Sequence, residues 1–477
     1  MDADPAPGSR LPLANRSLRV PGRGIATAYA RALLESLGAT VTAVPGPDDV
    51  EPPIAWARSG LMALTGPADG DAQMCPVPLA SCADGVVQAL RCLAPAGGTD
   101  VLPDGSALLG ERAAIAGLRR HGAISPGGGC RLLRAVDGWF AITLARDLDW
   151  ADVPAWLEAD GVATWDTVAA VVATRRVGTL VERARLLGLA ACTSVLPDPI
   201  PRPWFSASRH GAPAPRGRPI DTLRVLDLSS LWAGPLCSHL LQLLGARVVK
   251  VETRGRPDGA RNGPAAFHDL LNAGKRSVAL DFDRAGMARL QALIDRSDVV
   301  IEGSRPRALR QLGIVAEDCI ARRTGLTWVS ITGYGRTEPD CGWTAFGDDA
   351  GVAAGLSALL QDVTGRPLIC GDAIADPLAG MHAALAALAG HRGGGGLLLS
   401  LPLRDVAAHC ATFASPVDSL VRRQRWASWT AVARAARLDA TAPAARRAAG
   451  RARDLGADTE AVLDELALEE RLPGRES

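Results

Sequence analysis

The segment Gly371-Asp372-Ala373-Ile374-Ala375-Asp376-Pro377-Leu378-Ala379-Gly380-Met381-His382 holds the best candidate for covalent chemistry. Leu378, Met381, Leu385 and Leu388 recur at helical spacing. Proline is favoured at the first position of a helix and aspartate just before it. The pattern therefore predicts a buried helix starting at Pro377, with Asp376 at its amino end. On position alone Asp376 is explained as a helix cap. A carboxylate among free backbone N–H groups can also act as a nucleophile, with those groups stabilising the oxyanion formed when it attacks a carbonyl. Other constellations are weaker. His382, about one and a half turns further on, reads as a packed residue. Asp348-Asp349 is a paired carboxylate in a Gly-flanked loop and reads as a solvated turn. The seven histidines have no motif context, so no Ser-His-Asp set can be assembled.

The elements that would position Asp376 occur twice. Residues 25–44 align without a gap onto 232–251, where Ala26, Leu33, Leu34, Leu37, Gly38, Ala39, Val41 and Val44 meet identical residues. Residues 60–93 align onto 355–388, with Gly60, Leu61, Gly70, Cys75, Gly85 and Leu90 among the identities. The offset grows from 207 to 295, so the first copy lacks 88 residues that the second keeps. Ser81 stands where the second copy has Asp376; a serine can cap a helix but cannot form an acyl anhydride. The second copy predicts strands at 223–228, 247–252, 277–282, 298–302 and 328–332, with a helix at 284–295. Strands alternating with helices imply a doubly wound parallel sheet with ligands at the carboxyl ends of its strands. The first strand is followed by Ser229-Ser230-Leu231-Trp232-Ala233-Gly234-Pro235, which is neither GxGxxG nor a Walker A sequence, so no ordinary dinucleotide site is signalled.

With 477 residues, several domains are expected: a truncated first copy (1–110), a small α+β domain and linker (111–215), a complete Rossmann-like core (216–410) and a C-terminal helical return segment (411–477). Residues 206–219 are Pro/Gly/Arg-rich and read as linker, and the last five residues read as disordered. A net charge of +1 and two tyrosines give no case for nucleic acid or a membrane surface. Ten scattered cysteines without a CxxC pair exclude the usual zinc and redox motifs and suggest a reduced, cytoplasmic protein. Residues 1–10 lack the apolar core of a signal peptide, and no run of about 18 apolar residues could span a membrane. Only Lys250 and Lys275 are lysines among 52 basic residues.

The stretches LRVLDLSSLWAGPLCSHLLQLLGARVVKVE, LLNAGKRSVALDF, DVVIEGSRPRALRQLG, WVSITGYGRTEP and GDAIADPLAGMHAALAALAGHR, in this order over 221–405, resemble the family III CoA-transferases. That family includes formyl-CoA transferase, carnitine CoA-transferase and α-methylacyl-CoA racemase. LGADTEAVLDELAL near the C-terminus looks like the end of such chains. The resemblance implies an α/β fold with a Rossmann-like parallel core, and places Asp376 at the family's catalytic aspartate. It implies a ping-pong route through an aspartyl anhydride and an aspartyl-CoA thioester, with an acyl-CoA and a small carboxylic acid as partners. CoA is then a substrate, with no permanent cofactor and no metal. It implies a CoA cradle of Leu231, Trp232 and Ala233; of Leu271, Asn272, Ala273 and Gly274 beside Lys275 and Arg276, whose charges suit the CoA phosphates; of Gly303, Ser304 and Arg305; and of Gly333 and Tyr334. Thr253 is counted with this cradle although the family usually has an arginine there; Gly303-Ser304 stand where many members have Asn-Phe, and Gln311 replaces a further arginine. Phe346 falls where the racemase branch has a histidine, which argues against proton exchange next to the thioester. Residues 122–212 look like the family's small domain. Gly127, Gly128 and Gly129 resemble the glycine-rich loop that closes over the aspartate, and a surface turn explains them equally. The resemblance further suggests a homodimer or a single-chain pseudodimer with one site per chain. An acyl-CoA racemase or isomerase, or a non-catalytic acyl-CoA-binding protein, are the alternatives.

Overall fold

The computed structural model describes residues 11–95, 100–215, 219–438 and 440–471. The readings of residues 1–10 and of the last five residues fall outside these.

β1 (Ser17–Arg23) and β2 (Thr40–Asp48) pair in parallel across α1 (Ile25–Ser36), Ser17 opposite Thr40. α2 (Pro52–Arg58), α3 (Leu79–Leu93) and α4 (Glu111–Ala116) complete this amino-terminal unit. The small domain follows. β3 (Cys130–Ala135), β4 (Gly138–Thr143) and β5 (Ala190–Thr193) form an antiparallel sheet, and α5 (Val177–Leu186) leads into β5. Phe140, Trp156, Val168 and Leu180 give this domain its own core.

The large sheet has seven strands. They are β6 (Ser206–Arg209), β7 (Arg224–Leu228), β8 (Arg247–Thr253), β9 (Arg276–Leu280), β10 (Val299–Glu302), β11 (Thr327–Thr332) and β12 (Leu397–Pro402), ordered β6-β12-β11-β10-β7-β8-β9. All pairs are parallel except β12 with β6. The helices that matter to the site are α6 (Ala233–Leu243), α7 (Ala265–Asn272), α8 (Gly347–Ala353), α9 (Ala375–Arg392) and α10 (Leu403–Thr412). From β7 the chain winds one way to β8 and β9, and returns through β10 to wind the other way. The order therefore reverses between β7 and β10, the place where such sheets open a crevice at their carboxyl ends. One expectation fails: Ser206–Arg209, read as linker, is an edge strand paired with β12. Ser, Ala and Arg carry no strand signal, and the pairing comes from the free edge of β12.

The amino-terminal unit and the core keep matching step. β1, α1 and β2 begin within one residue of β7, α6 and β8 displaced by 207, and α2 and α3 within one residue of α8 and α9 displaced by 295. The helix contacts match too. A Cβ on Gly85 of α3 would lie 2.5 Å from Ala26 O and 3.0 Å from Tyr29 Cβ. A Cβ on Gly380 of α9 would lie 2.6 Å from Ala233 O and 3.0 Å from Leu236 Cβ. Both helix pairs need glycine there for the same close approach.

One hydrophobic cluster joins Leu33, Leu37, Val87 and Leu90 to Leu236, Leu240, Leu385 and Leu388, so unit and core are packed as one body. α9 is buried on almost every side, as expected of a helix enclosed by neighbours. The Tyr29 hydroxyl donates to His382 Nε2 at 2.8 Å while His382 Nδ1 is held by Leu378 O, so His382 is a packed residue. After α11 (Ser419–Ala435) the chain turns back across the molecule. Arg446 pairs with buried Glu111 at 2.6 Å and contacts His239, and α12 (Thr459–Arg471) docks beside β9. Among the described residues no helix is long and apolar enough to cross a membrane.

Candidate active site

Asp376 does not cap its helix. α9 begins at Ala375, one residue before it, and Asp376 makes no capping bond; its own N–H donates to Ala373 O at 2.9 Å. Proline is tolerated throughout a first turn because the N–H it lacks has no intrahelical partner there, so Pro377 marked the start only to within two residues. The preceding turn is tight, with Gly371 at φ +66° and Ala373, a non-glycine, at φ +43°. Thr65 of the amino-terminal unit accepts the Gly371 N–H at 3.0 Å, and Asp348 accepts the Ala373 N–H at 2.7 Å.

The half-buried Asp376 carboxylate faces the amino end of α8 rather than that of its own helix. It accepts the Gly347 N–H, and a Cβ on Gly347 would sit 2.5 Å from Asp376 Oδ2 and 2.4 Å from Ala373 O. Glycine is what lets this backbone reach the carboxylate.

Asp348 and Asp349 are not a solvated turn. Both lie in the first turn of α8, and Asp349 is fully buried, accepting Thr143 Oγ1 at 2.9 Å and the Phe346 N–H at 2.9 Å. Flanking glycines suggested a loop, but acidic residues also suit the amino end of a helix. Arg112 of α4 clamps buried Asp372 with two bonds, of 2.9 and 2.5 Å. Its guanidinium also lies 5.6 Å from the centre of the Trp232 ring.

Three carboxylates thus gather around one guanidinium. Burial pushes Asp376 up to about 7; Arg112 opposes this, Asp348 and Asp372 add to it, and the Gly347 N–H opposes it. Burial pushes Asp348 up to about 6, with Asp372 adding and Arg112, the Ala373 N–H and Ser125 opposing. Burial disfavours the Arg112 charge, but Asp372, Asp348 and Asp376 more than compensate, so its pKa lies above the ordinary value. Neither Arg112 nor Asp372 was singled out in the sequence. Their pairing spans 260 residues, and no local pattern signals it.

The glycine loop stands next to this cluster. A Cβ on Gly127 would be 3.7 Å from Arg112 Nη2, Gly128 has open space at φ +80°, and Gly129 lies against Ala145. Buried Ser125 holds the loop by accepting the Cys130 N–H at 3.1 Å.

The cradle residues divide. Leu231, at φ +69°, is exposed, and its N–H donates to Asp258 at 2.9 Å. Trp232 and Ala233 are buried at the start of α6, and a Cβ on Gly303 would lie 3.5 Å from Ser229 Cβ, so the loops after β7 and β10 meet at the switch point. Ser304 is half-buried and Arg305 exposed. Burial lowers the Arg305 pKa, and the charges of Arg307, Arg146 and Arg256 lower it further, which marks a cationic cluster at this edge. Arg256 is reached through Thr253, whose carbonyl accepts the Arg256 N–H at 3.3 Å.

Leu271, Asn272 and Ala273 are buried, and Gly274 lies against Gln242 at the far end of α6 from Leu231. Lys275 cannot reach a phosphate. It is buried, and its ammonium is bonded to Asp227, Pro235 O, Ser238 and Asn272 at 2.7–3.2 Å. Lys250 is likewise buried on Ser229 O and Asp258, at 2.8 and 2.9 Å. The two lysines brace the Leu231 loop from beneath. Arg276 pairs with Glu465 at 2.6 Å. Gly333 packs on Ala345, and the buried Tyr334 ring turns toward the small domain, 5.2 Å from Arg185, rather than toward Leu231.

Residues 220–426 match the model of CoA-transferase family III. Succinyl-CoA--D-citramalate CoA-transferase of Chloroflexus aurantiacus is 34% identical over 179 residues, 36% of this chain and 44% of that protein. Succinyl-CoA:glutarate CoA-transferase of Mus musculus is 31% identical over 207 residues, 41% of this chain and 48% of that protein. A solved CAIB/BAIF family protein from Brucella suis superposes with a TM-score of 0.35 at 28% identity, covering 40% of this chain and 55% of that one. The chain spans about half the length of the curated relatives it matches. Arg112, Ser125 and the glycine loop lie outside the matched stretch. The stretch that matches the CoA-transferase family III model, residues 220–426, holds Asp376 and both switch-point loops.

Proposed function

We propose that the protein is a CoA-transferase that moves CoA from an acyl-CoA to a small carboxylic acid through Asp376. The observation that carries this is the state of that carboxylate: reachable by solvent, touched by a backbone N–H, and crowded by two like charges against one cation. An Asp376 oxygen attacks the thioester carbon, the C–S bond breaks, and CoA leaves as thiolate from a mixed anhydride. The thiolate attacks the aspartyl carbon, releasing the donor acid and leaving aspartyl-CoA. The acceptor carboxylate attacks that thioester and expels the thiolate, which returns to the acceptor carbon and regenerates the Asp376 carboxylate. Each covalent state removes the Asp376 charge from beside Asp348 and Asp372, so electrostatics favour the intermediates over the free carboxylate. The relatives' names describe transfer between carboxylic acids, which supports the substrate class.

CoA would lie over the exposed Leu231 loop and the Gly303–Ser304 loop, with Arg305, Arg256 and Arg307 facing its phosphates. The glycine loop would cover the reacting carbonyl. Residues 11–116 would be the remnant of a second core, with buried Ser81 in place of the nucleophile, leaving one site per chain.

Incubation with succinyl-CoA followed by hydroxylamine should convert Asp376 to a hydroxamate visible by mass spectrometry. Asp376→Ala should bind CoA and exchange nothing. Turnover without modification at Asp376 would sink the proposal. CoA binding without exchange for any acid would leave a binding protein. Deuterium entering the α-carbon without an acceptor acid would point to a racemase, a reading that Phe346 beside Gly347 disfavours.

A further inference from the structure

A cavity of about 500 Å³ lies where the small domain meets the core, and neither Asp376, Asp348, Arg112 nor the switch-point loops line it. Arg185 of α5 forms one wall. Its Nε donates to Ala191 O at 3.1 Å, and its guanidinium stacks 3.6 Å from the centre of the Trp343 ring. Stacking fixes the plane of the fork, and among the described residues no carboxylate pairs with it. The acids nearby are engaged: Asp340 with Arg404 at 3.5 Å, and Asp198 with the Ile200 N–H at 3.0 Å. The charge left over is positive.

Tyr334 closes the inner end. Its hydroxyl is buried, and the side chain facing it is the Arg185 guanidinium, which can only donate; among the described residues nothing accepts the phenol proton. Burial keeps the phenol protonated, so it is a donor without an acceptor. Leaving a buried donor unsatisfied is costly, and an acceptor from outside would recover that cost. The outer wall has the opposite character, with Leu196 and Ile200 exposed at its edge.

We infer that this cavity binds an organic carboxylate with an apolar body, its oxygens on the Arg185 fork and the Tyr334 hydroxyl and its body against Leu196 and Ile200. The site is separate from Asp376 and stands whether or not the transferase reading does. Isothermal titration of the full chain with benzoate, and with benzyl alcohol as the neutral counterpart, tests it. Benzoate should bind one per chain, at least tenfold more tightly than the alcohol. Arg185→Leu should weaken benzoate at least tenfold, and Tyr334→Phe several-fold. Asp376→Ala should leave the Kd within twofold. Equal binding of acid and alcohol, or no binding of benzoate, overturns the inference. So does a Kd that is lost in Asp376→Ala, which would place the acid at the other site. Should Arg185→Leu lower the melting temperature, Tyr334→Phe decides alone, because it removes only a hydroxyl whose proton has no acceptor among the described residues.

Discussion

Arg112 has to serve three carboxylates at once, and this sets the pH at which Asp376 can react. In the proposed reaction the nucleophile would be the ionised form, and burial with Asp348 and Asp372 nearby pushes the Asp376 pKa up to about 7. The single-turnover rate of acyl-enzyme formation should therefore rise with pH, level off above about 7, and fall roughly tenfold for each unit below it. Removing Arg112 removes the neighbouring charge that lowers this pKa, so in Arg112→Ala the midpoint should move to higher pH by about a unit or more. Arg112→Lys should restore part of the shift, keeping the charge but not the two-bond clamp on Asp372. Breaking a buried pair costs about 3–5 kcal/mol, so Arg112→Ala should also unfold at lower temperature. A stability loss with an unmoved pH profile would reduce Arg112 to a structural tie.

At the scale of elements, the site is the meeting of two helix starts, and Gly347 is the contact. Intrinsic propensity says that Gly347→Ala should stabilise α8 by up to about 1 kcal/mol. The close approach says the opposite, because the added Cβ would overlap Ala373 O and Asp376 Oδ2. The variant should lose about 1–3 kcal/mol of stability by overpacking and most of its activity. Gly342→Ala, where nothing lies within 4 Å, should change neither. Thermal melts and initial rates separate the two expectations. The same helix starts show what could be read beforehand. The helix over 284–295, the parallel strands and the helix bearing Asp376 follow from local periodicity, and the structure has them within a residue or two. What could not be read depends on distant partners. Asp349 is buried because Thr143 of the small domain caps it, Lys275 is buried because Asp227 and Ser238 surround it, and Ser206–Arg209 is a strand because β12 offers an edge.

For the whole molecule, the proposed pseudodimer has a geometric signature. Cys75 and Cys370 are matched by the repeat, and their thiols lie within hydrogen-bonding reach of one another. Where two copies are related by a two-fold rotation, a residue meets its own equivalent only on the axis. The axis would then pass between α3 and α9, which pack together, and the chain would contain within itself an interface that other chains form between subunits. The two-stranded sheet of the amino-terminal unit fits this reading. It stops at β2, where Pro45 and Pro47 cannot donate to a further strand, so its open edge is blocked against pairing. The chain should therefore sediment as a monomer of 49.5 kDa, and acyl incorporation at saturating acyl-CoA should reach one group per chain. Ser81→Asp should not add a second group, because the unit lacks the 88 residues that would hold CoA. It should instead cost stability, since a carboxylate at this buried position has no partner in view: the Ser81 hydroxyl itself makes no hydrogen bond. Two acyl groups per chain, or an obligate dimer that loses activity on dilution, would show that the amino-terminal unit does not stand in for a partner.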